Sequence, residues 1–293
     1  MRRAPHSADP RLARAIAERV VRGPGGEERL DAVAVEEPLE IRVDGEAVAT
    51  TMRTPGADAD LALGFLLAEG IVAGAADVGA IAHCGRPGDE GYGNVIDVSS
   101  AAGVRLDPER VLDGTRRVPG TSACGVCGRR TIDGLLSRTP RLDSTRRVAR
   151  SLVPQAIEAL RGVQPVFAAT GGLHAAALLG DGGALLASAE DIGRHNAVDK
   201  VVGAVARLGL VGAGAPAGGP IILAVSGRAG FEIVQKAAAA GVPVVASVSA
   251  PSSLAVDVAE AAGIALCGFV RGAAFNVYAH AWRLDPAAPG PAS

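Results

Sequence analysis

Apolar positions recur at two spacings along this chain, and the change of spacing divides it. From Asp31 the pattern is that of strands: Val33-Ala34-Val35 leads into Glu36-Glu37-Pro38, and Leu39-Glu40-Ile41-Arg42-Val43 alternates apolar with polar. That is the period of a strand with one buried face. Asp44-Gly45 is a hairpin turn and Ala47 to Met52 the returning strand. After the break at Thr54-Pro55-Gly56, Asp58 or Asp60 is placed to cap a helix carrying Leu61, Leu63, Phe65, Leu66 and Leu67, and Gly70 ends it. Ile71-Val72, Val78 to Cys84 and Asn94 to Val98 predict further strands. The reading is a flexible arm over 1–28, closing on Gly23-Pro24-Gly25-Gly26, and a small α+β domain over 29–118.

The second half repeats strand and helix in turn. Pro154 to Leu160 predicts a helix, and Val166-Phe167-Ala168-Ala169 a strand broken at Thr170-Gly171-Gly172. His174 to Leu179 and Ala184 to Ser188 flank a hairpin at Gly180-Asp181-Gly182-Gly183, and Arg194-His195-Asn196 opens a helix through Val205. Ile221–Val225, Phe231–Ala240, Val242–Val248, Pro251–Ala262 and Ile264–Phe269 then read β-α-β-α-β. That order implies a mostly parallel sheet, buried on both faces, over 151–285. Residues 119–150 remain as a linking loop and 286–293 as a tail. The fold class is α/β.

Composition narrows this picture. With 48% hydrophobic but only 3% aromatic residues, the core is built from Ala, Val, Leu and Ile. A formal net charge of −2 supplies no general attraction for nucleic acid or acidic membranes, so an anionic ligand needs a local cluster. No apolar run is long enough for a membrane span, and Arg2-Arg3 is followed by no apolar export segment. Four cysteines in such a chain suggest free thiols and a cytoplasmic location. Of 29 basic residues only Lys200 and Lys236 are lysine, which suggests that a compact ammonium is wanted at each.

The chemistry concentrates at Thr121-Ser122-Ala123-Cys124-Gly125-Val126-Cys127-Gly128. The thiolate is the working form of cysteine, and Arg129-Arg130 favour it. A bare C-x-x-C fits a redox dithiol, half of a zinc site or a sulfur carrier. Strand-to-helix turns carry the other candidates, Ser226-Gly227-Arg228 and Ser249-Ala250-Pro251-Ser252-Ser253. Their hydroxyls and helix-start amides suit a phosphate, or serve as ordinary helix caps. Glu190, Asp191, Arg194, His195, Asn196, Asp199 and Lys200 crowd one segment, and His174 opens a strand. Cys84 and Cys267 read as small core residues, and Arg271 stands at a strand exit beside Phe269.

These motifs together resemble the formate dehydrogenase accessory sulfurtransferases, the FdhD/NarQ family. The resemblance rests on Glu36-Glu37-Pro38-Leu39, Thr54-Pro55-Gly56, the cysteine loop, Thr170-Gly171-Gly172 with His174, Asp191 to Lys200, Ser226-Gly227-Arg228, Ser249-Ala250-Pro251 and Gly268-Phe269 with Arg271. It implies a carrier that takes sulfur from a cysteine desulfurase as a persulfide on Cys124, with Cys127 as helper. The recipient is the molybdenum bis(molybdopterin guanine dinucleotide) cofactor of formate dehydrogenase. It further implies cofactor contact at Phe269, Val270, Arg271, Gly272, Ala273 and Ala274, a cytidine-deaminase-like three-layer second domain, and a homodimer. The cofactor set is completed by Ser226, Gly227, Arg228, Ser249, Arg194, His195 and Lys200, with no bound metal, nucleic acid or membrane partner expected. Ala273-Ala274 departs from the family's frequent basic residue, which puts more weight on Arg271.

Two other readings compete. Cys124, Cys127 and His174 would make a three-ligand zinc site for a deaminase-like hydrolase, but the deaminase pattern has its His-x-Glu before its Cys pair, and Ala176 stands where that Glu belongs. A non-catalytic chaperone would hold the cofactor with the cysteines incidental.

Overall fold

The computed structural model describes residues 14–86, 88–89, 91–107, 139–142, 144–215 and 218–286. The cysteine loop, the boundary near residue 118, the first residues of the arm and all but the first residue of the tail lie outside these. The order is β1 (Ile16–Arg22), β2 (Glu28–Ala34), β3 (Glu37–Val43), β4 (Glu46–Arg53), α1 (Asp58–Ala68), β5 (Val78–His83) and β6 (Val95–Ser100). Then come β7 (Val148–Ala149), α2 (Leu152–Arg161), α3 (Pro165–Thr170), β8 (His174–Leu179), β9 (Leu185–Asp191), α4 (Arg194–Arg207) and β10 (Ile222–Val225). The chain closes with α5 (Phe231–Ala239), β11 (Val244–Ser247), α6 (Ser253–Ala262), β12 (Ala265–Arg271), β13 (Ala274–Ala279) and β14 (Leu284–Asp285).

The larger sheet runs β13-β12-β11-β10-β8-β9. β10, β11 and β12 are parallel, β8 is antiparallel to β10, and β13 to β12. Alternation along β10 assigns its faces. Ile222 and Ala224 meet α2 through Val153, Ile157 and Leu160, while Leu223 and Val225 meet α4, α5 and α6 through Val201, Ile233 and Val258. This is the three-layer α/β arrangement expected. The smaller sheet, β4-β3-β6-β5, buries Leu39, Ile41 and Val43 at the alternate positions of β3. Its β3–β4 turn places Asp44 at φ 49° and Gly45 at φ 85°, the left-handed pair that a two-residue hairpin requires. Asp44 is locked by Ser100, whose N–H and hydroxyl donate to its carboxylate at 2.8 and 2.6 Å and hold it below the usual range.

The two parts share one core. α1 is buried almost all round, and its Leu61, Leu63 and Leu66 pack with Ile41 and Ile96 on one side and Val198 and Val201 of α4 on the other. Glycines permit that approach. A Cβ at Gly64 would lie 2.0 Å from the Asp199 carbonyl oxygen, and one at Gly203 would lie 1.8 Å from that of Asp60. The two helix backbones therefore touch.

Several sequence expectations are corrected. Residues 16–22 are not arm but β1, paired with β2 from Ile16↔Ala34 to Arg22↔Glu28, and Gly23–Gly26 lie in the turn between them. Residues 166–169 lie in helix α3, not a strand. Pro165 starts the helix, and the Glu190 carboxylate accepts from Val166 N–H at 2.9 Å and Phe167 N–H at 2.6 Å. Neither Asp58 nor Asp60 is the cap of α1. The N-cap is Ala57 at φ 53°, and Asp58 instead takes a two-pronged bond from fully buried Arg53 at 3.0 and 3.1 Å. Ile71-Val72 is a buried turn rather than a strand, and β13 was not foreseen.

Alanine in place of glycine in a helix interior ordinarily stabilises by up to ~1 kcal/mol. Here Gly203→Ala is expected to reverse that sign and cost about 3 kcal/mol or more, because the new methyl meets backbone that cannot give way. Urea unfolding of the variant measures it, and a stabilised G203A would show the helices further apart than described.

Candidate functional site

The parallel strands β10, β11 and β12 end on one edge of the larger sheet, and the turns that leave them are tied together. Ala229 N–H donates to Ala250 C=O at 3.2 Å, Ser252 N–H to Ala229 C=O at 3.1 Å, and Phe269 N–H to Ser249 C=O at 3.1 Å. The Ser247 hydroxyl donates to Gly227 C=O at 2.7 Å, and Ser226 Oγ accepts from Ala175 N–H of β8 at 2.8 Å. Because β8 runs antiparallel to β10, its first residue, His174, stands beside the Ser226 turn. Because β9 ends at Asp191, α4 starts on the same edge with Arg194 and His195. A crevice outside the carboxyl ends of parallel strands is where an open α/β sheet presents ligands.

Of the predicted residues, the fold brings Ser226, Gly227, Arg228, Ser249, Arg194, His195 and Phe269 to this edge. α4 and α5 begin on Gly193 and Gly230 without side-chain caps, whereas the Ser252 side chain caps α6 by accepting from Ala255 N–H at 3.2 Å. Ser252 is thus the ordinary cap that its sequence also allowed. Arg194 has a buried Nε without a hydrogen-bond partner, and Arg228 is exposed. His195 Nε2 lies 3.4 Å from Glu232 Oε2 of α5. Burial alone would raise the Glu232 carboxyl, but the bond to His195 and the cations around it hold it below its usual value. Glu232 escaped sequence reading; its position in the first turn of a predicted helix was the signal available.

The 269–274 segment divides. Phe269 sits at φ 54°, unusual for a bulky residue, on an irregularity of β12 between Gly268 and Arg271, and its ring is 40% exposed. Gly268 permits this approach, since a Cβ there would lie 3.0 Å from Pro251 Cδ. Arg271, Gly272, Ala273 and Ala274 are exposed and form the hairpin into β13, where Arg271 pairs with Ala274. Val270, fully buried, faces the α2 side of the core and offers a ligand its backbone only.

Lys200 is not brought to the crevice. Its ammonium, 3% exposed, donates to Asp191 Oδ2 at 2.7 Å, Thr54 C=O at 2.8 Å and Glu190 C=O at 3.3 Å. Asp191, fully buried, also accepts from Thr54 N–H, Gly193 N–H and the Asn196 amide. Asn196 in turn donates to Met52 C=O at 2.7 Å and accepts from the Thr51 hydroxyl at 3.1 Å. These residues join the end of β4 to the start of α4. Lys236, the other lysine, pairs with Asp199 at 2.6 Å; burial raises that carboxyl and the ammonium opposes the rise. Both retained lysines are compact charges in buried pairs. Cys84 is half-buried at the end of β5, while Cys267 is fully buried with its thiol pushed up to about 12, an inert core residue. Cys124 and Cys127 lie outside the described residues. Among those that are described, no three His, Cys, Asp or Glu side chains could hold a metal, and no helix is long and apolar enough to cross a membrane.

Fold and edge together define an α/β protein that gathers Arg194, His195, Arg228 and the starts of α4 and α5 at its parallel strand ends. The chain belongs to the FdhD/NarQ family, whose pattern it matches over residues 34–285. It is 68% identical to the sulfur carrier protein FdhD of Anaeromyxobacter dehalogenans over 278 residues, 94% of this chain and 96% of that one. It is 50% identical to the protein of the same name from Mycobacterium tuberculosis over 264 residues, 87% and 92% of the two chains. The crystal structure of a formate dehydrogenase accessory protein from Desulfotalea psychrophila shares the fold. The TM-score is 0.67 at 24% identity, covering 92% of this chain and 98% of that one.

Asp191→Ala strands a buried ammonium and several backbone donors, and is expected to destabilise the protein by about 3–5 kcal/mol. Chemical denaturation measures this, and its non-additivity with Lys200→Met, beyond ~0.5 kcal/mol, reports the pair. Additive costs would mean that the two charges do not depend on each other.

Proposed function

We propose that this protein is a sulfur carrier that matures formate dehydrogenase, with Cys124 as the sulfur-bearing residue. The observation that carries the reading is the 68% identity to a protein named as a sulfur carrier along nearly the whole chain. In this reading the Cys124 thiolate attacks the outer sulfur of a persulfide on a cysteine desulfurase. The S–S bond there breaks, the desulfurase thiolate leaves, and the persulfide now resides on Cys124. The outer sulfur would then pass, as neutral sulfane sulfur, to the molybdenum of the bis(molybdopterin guanine dinucleotide) cofactor, which is cargo here; the cargo would supply the two electrons that make it sulfide, and Cys124 would be left as the thiolate. Cys127 assists from three residues away. A carrier that must meet two large partners is well served by a glycine-rich sequence around its cysteine, and the cytoplasm, where thiols stay reduced, suits the chemistry. A homodimer is the assembly that this reading adopts.

The crevice supports the cargo half of the proposal. A pyrophosphate is best held by unspent guanidinium groups and helix-start amides. Arg194, Arg228 and the uncapped starts of α4 and α5 meet that description, and Arg271 and the Phe269 ring extend it toward a guanine. Lys200 is not part of this set.

The test is the intact mass of the protein after incubation with a cysteine desulfurase and cysteine. A gain of one sulfur atom, reversed by reductant and absent from Cys124→Ala, is expected, with the variant's unfolding unchanged. The same variant should fail to restore formate dehydrogenase activity in cells that lack the native protein. Equal sulfur loading of C124A would falsify the role of Cys124, and restored activity without loading would leave a cofactor-holding chaperone.

A further inference from the structure

His174 stands on the same edge, and the proposed function assigns it no task. It is half-buried at the first position of β8, and its ring lies against the Ser226 turn. A Cβ on Gly227 would fall 3.1 Å from its Nδ1 and 3.2 Å from its Cε1, so a side chain there would crowd the imidazole. Three cationic or potentially cationic groups face it: Arg194 and His195 from the start of α4, and Arg228 from the turn after β10. The acids nearby are already engaged. Asp191, its cross-strand neighbour, is saturated by Lys200, Asn196 and two backbone N–H groups. Glu190 caps α3, and Glu232 pairs with His195. Among the described residues, His174 and Arg228 have no hydrogen-bond or ion-pair partner, and the buried Arg194 Nε has none either. Elsewhere the buried cations Arg53, Lys200 and Lys236 are each matched by a carboxylate, and Arg283 by backbone carbonyls. Arg194 and Arg228 beside this imidazole meet no carboxylate among the described residues, and an anion would complete the set.

We propose that His174 is a phosphate ligand of this crevice, closing a cradle with Arg194 and Arg228, and that a phosphate binds there together with one proton. The inference rests on the crevice being the site for the cofactor's pyrophosphate. In the empty protein, burial first and then Arg194, His195 and Arg228 hold the imidazole below its ordinary range, so it is neutral at physiological pH. A bound phosphate offsets those cations and offers its oxygen to an N–H, which raises the imidazole again. The proton comes from the buffer and ends on the ring nitrogen that faces the phosphate; no bond of the phosphate is made or broken. Proton affinity is thus higher in the complex than in the free protein. Binding takes up a proton at any pH between the two values, and affinity falls as pH rises through that window. The limit is about tenfold per pH unit for a single titrating group.

Diguanosine pyrophosphate is a suitable probe, because its phosphates lose their protons far below neutrality and contribute none of their own. Calorimetric titration of the full chain, in two buffers of different ionisation heat from about pH 5.5 to 7.5, counts the protons taken up. Up to one proton per site is expected for the native protein. In His174→Gln and His174→Asn the uptake should vanish, and the affinity should become flat with pH and weaker at the acid end. Unchanged melting of both variants at the alkaline end shows the fold to be intact. Binding without proton uptake, or variants with the native pH profile, would overturn the role of His174 and leave the crevice as a nucleotide site. Uptake persisting in both variants would assign the proton to His195 and equally overturn it. No binding by the native protein at any pH would remove the inference together with the cofactor half of the proposed function, while the sulfur-loading test of Cys124 stands apart.

Discussion

The structure turns on one buried ion pair. Asp191 and Lys200 meet at 2.7 Å with almost no solvent around them, and each spends its remaining capacity on the backbone at Thr54, Gly193 or Glu190. Isolated charges in such surroundings would be costly, so the pair tolerates burial only because every donor and acceptor is met. Those partners come from both halves of the chain. The end of β4, the end of β9 and the start of α4 are therefore held in one geometry, and α1 is drawn onto α4 closely enough for Gly64 and Gly203 to matter. The start of α4, where Arg194 and His195 stand, is thereby fixed. The edge that carries them is oriented by a buried bond.

What could be read from residues alone followed how local the causes were. The strands β10, β11 and β12 and the helices between them lay close to their predicted spans, because short apolar runs and capped helical repeats carry their own instructions. α3 failed for the opposite reason. Val166-Phe167-Ala168-Ala169 has no period, and its helical state depends on Glu190, remote in sequence, reaching back to the first N–H groups. β1 failed because Gly23-Pro24-Gly25-Gly26 reads equally as the end of an arm or the turn of a hairpin, and only Val20↔Leu30 and its neighbouring pairs decide between them.

The site was legible in the same uneven way. The motif residues around 226–228, 249 and 269 converge because parallel strands end together, which β-α-β order already implied. Lys200 looked equally chemical in the sequence, as a rare lysine beside a histidine. Whether an ammonium is free or spent depends on Thr54 and Asp191, and no spacing rule reports that. Glu232 and His174 illustrate the reverse case, since each gains its meaning from neighbours on other elements.

In the proposed function an anion is held at this edge, and the distribution of charge is the argument for it. Three buried cations are each met by a carboxylate, Arg53 by Asp58, Lys200 by Asp191 and Lys236 by Asp199, while the buried Arg283 is met by backbone carbonyls. At the edge, Arg194 is half-buried and Arg228 exposed, and neither meets a carboxylate among the described residues. The carboxylates within reach are already committed, the helices start on uncapped glycines, and the arginines are left open. The buried Nε of Arg194 carries a desolvation cost that, in the proposed function, a phosphate oxygen would offset. In the proposed function a pyrophosphate, with more oxygens than a single small anion, would engage both Arg194 and Arg228.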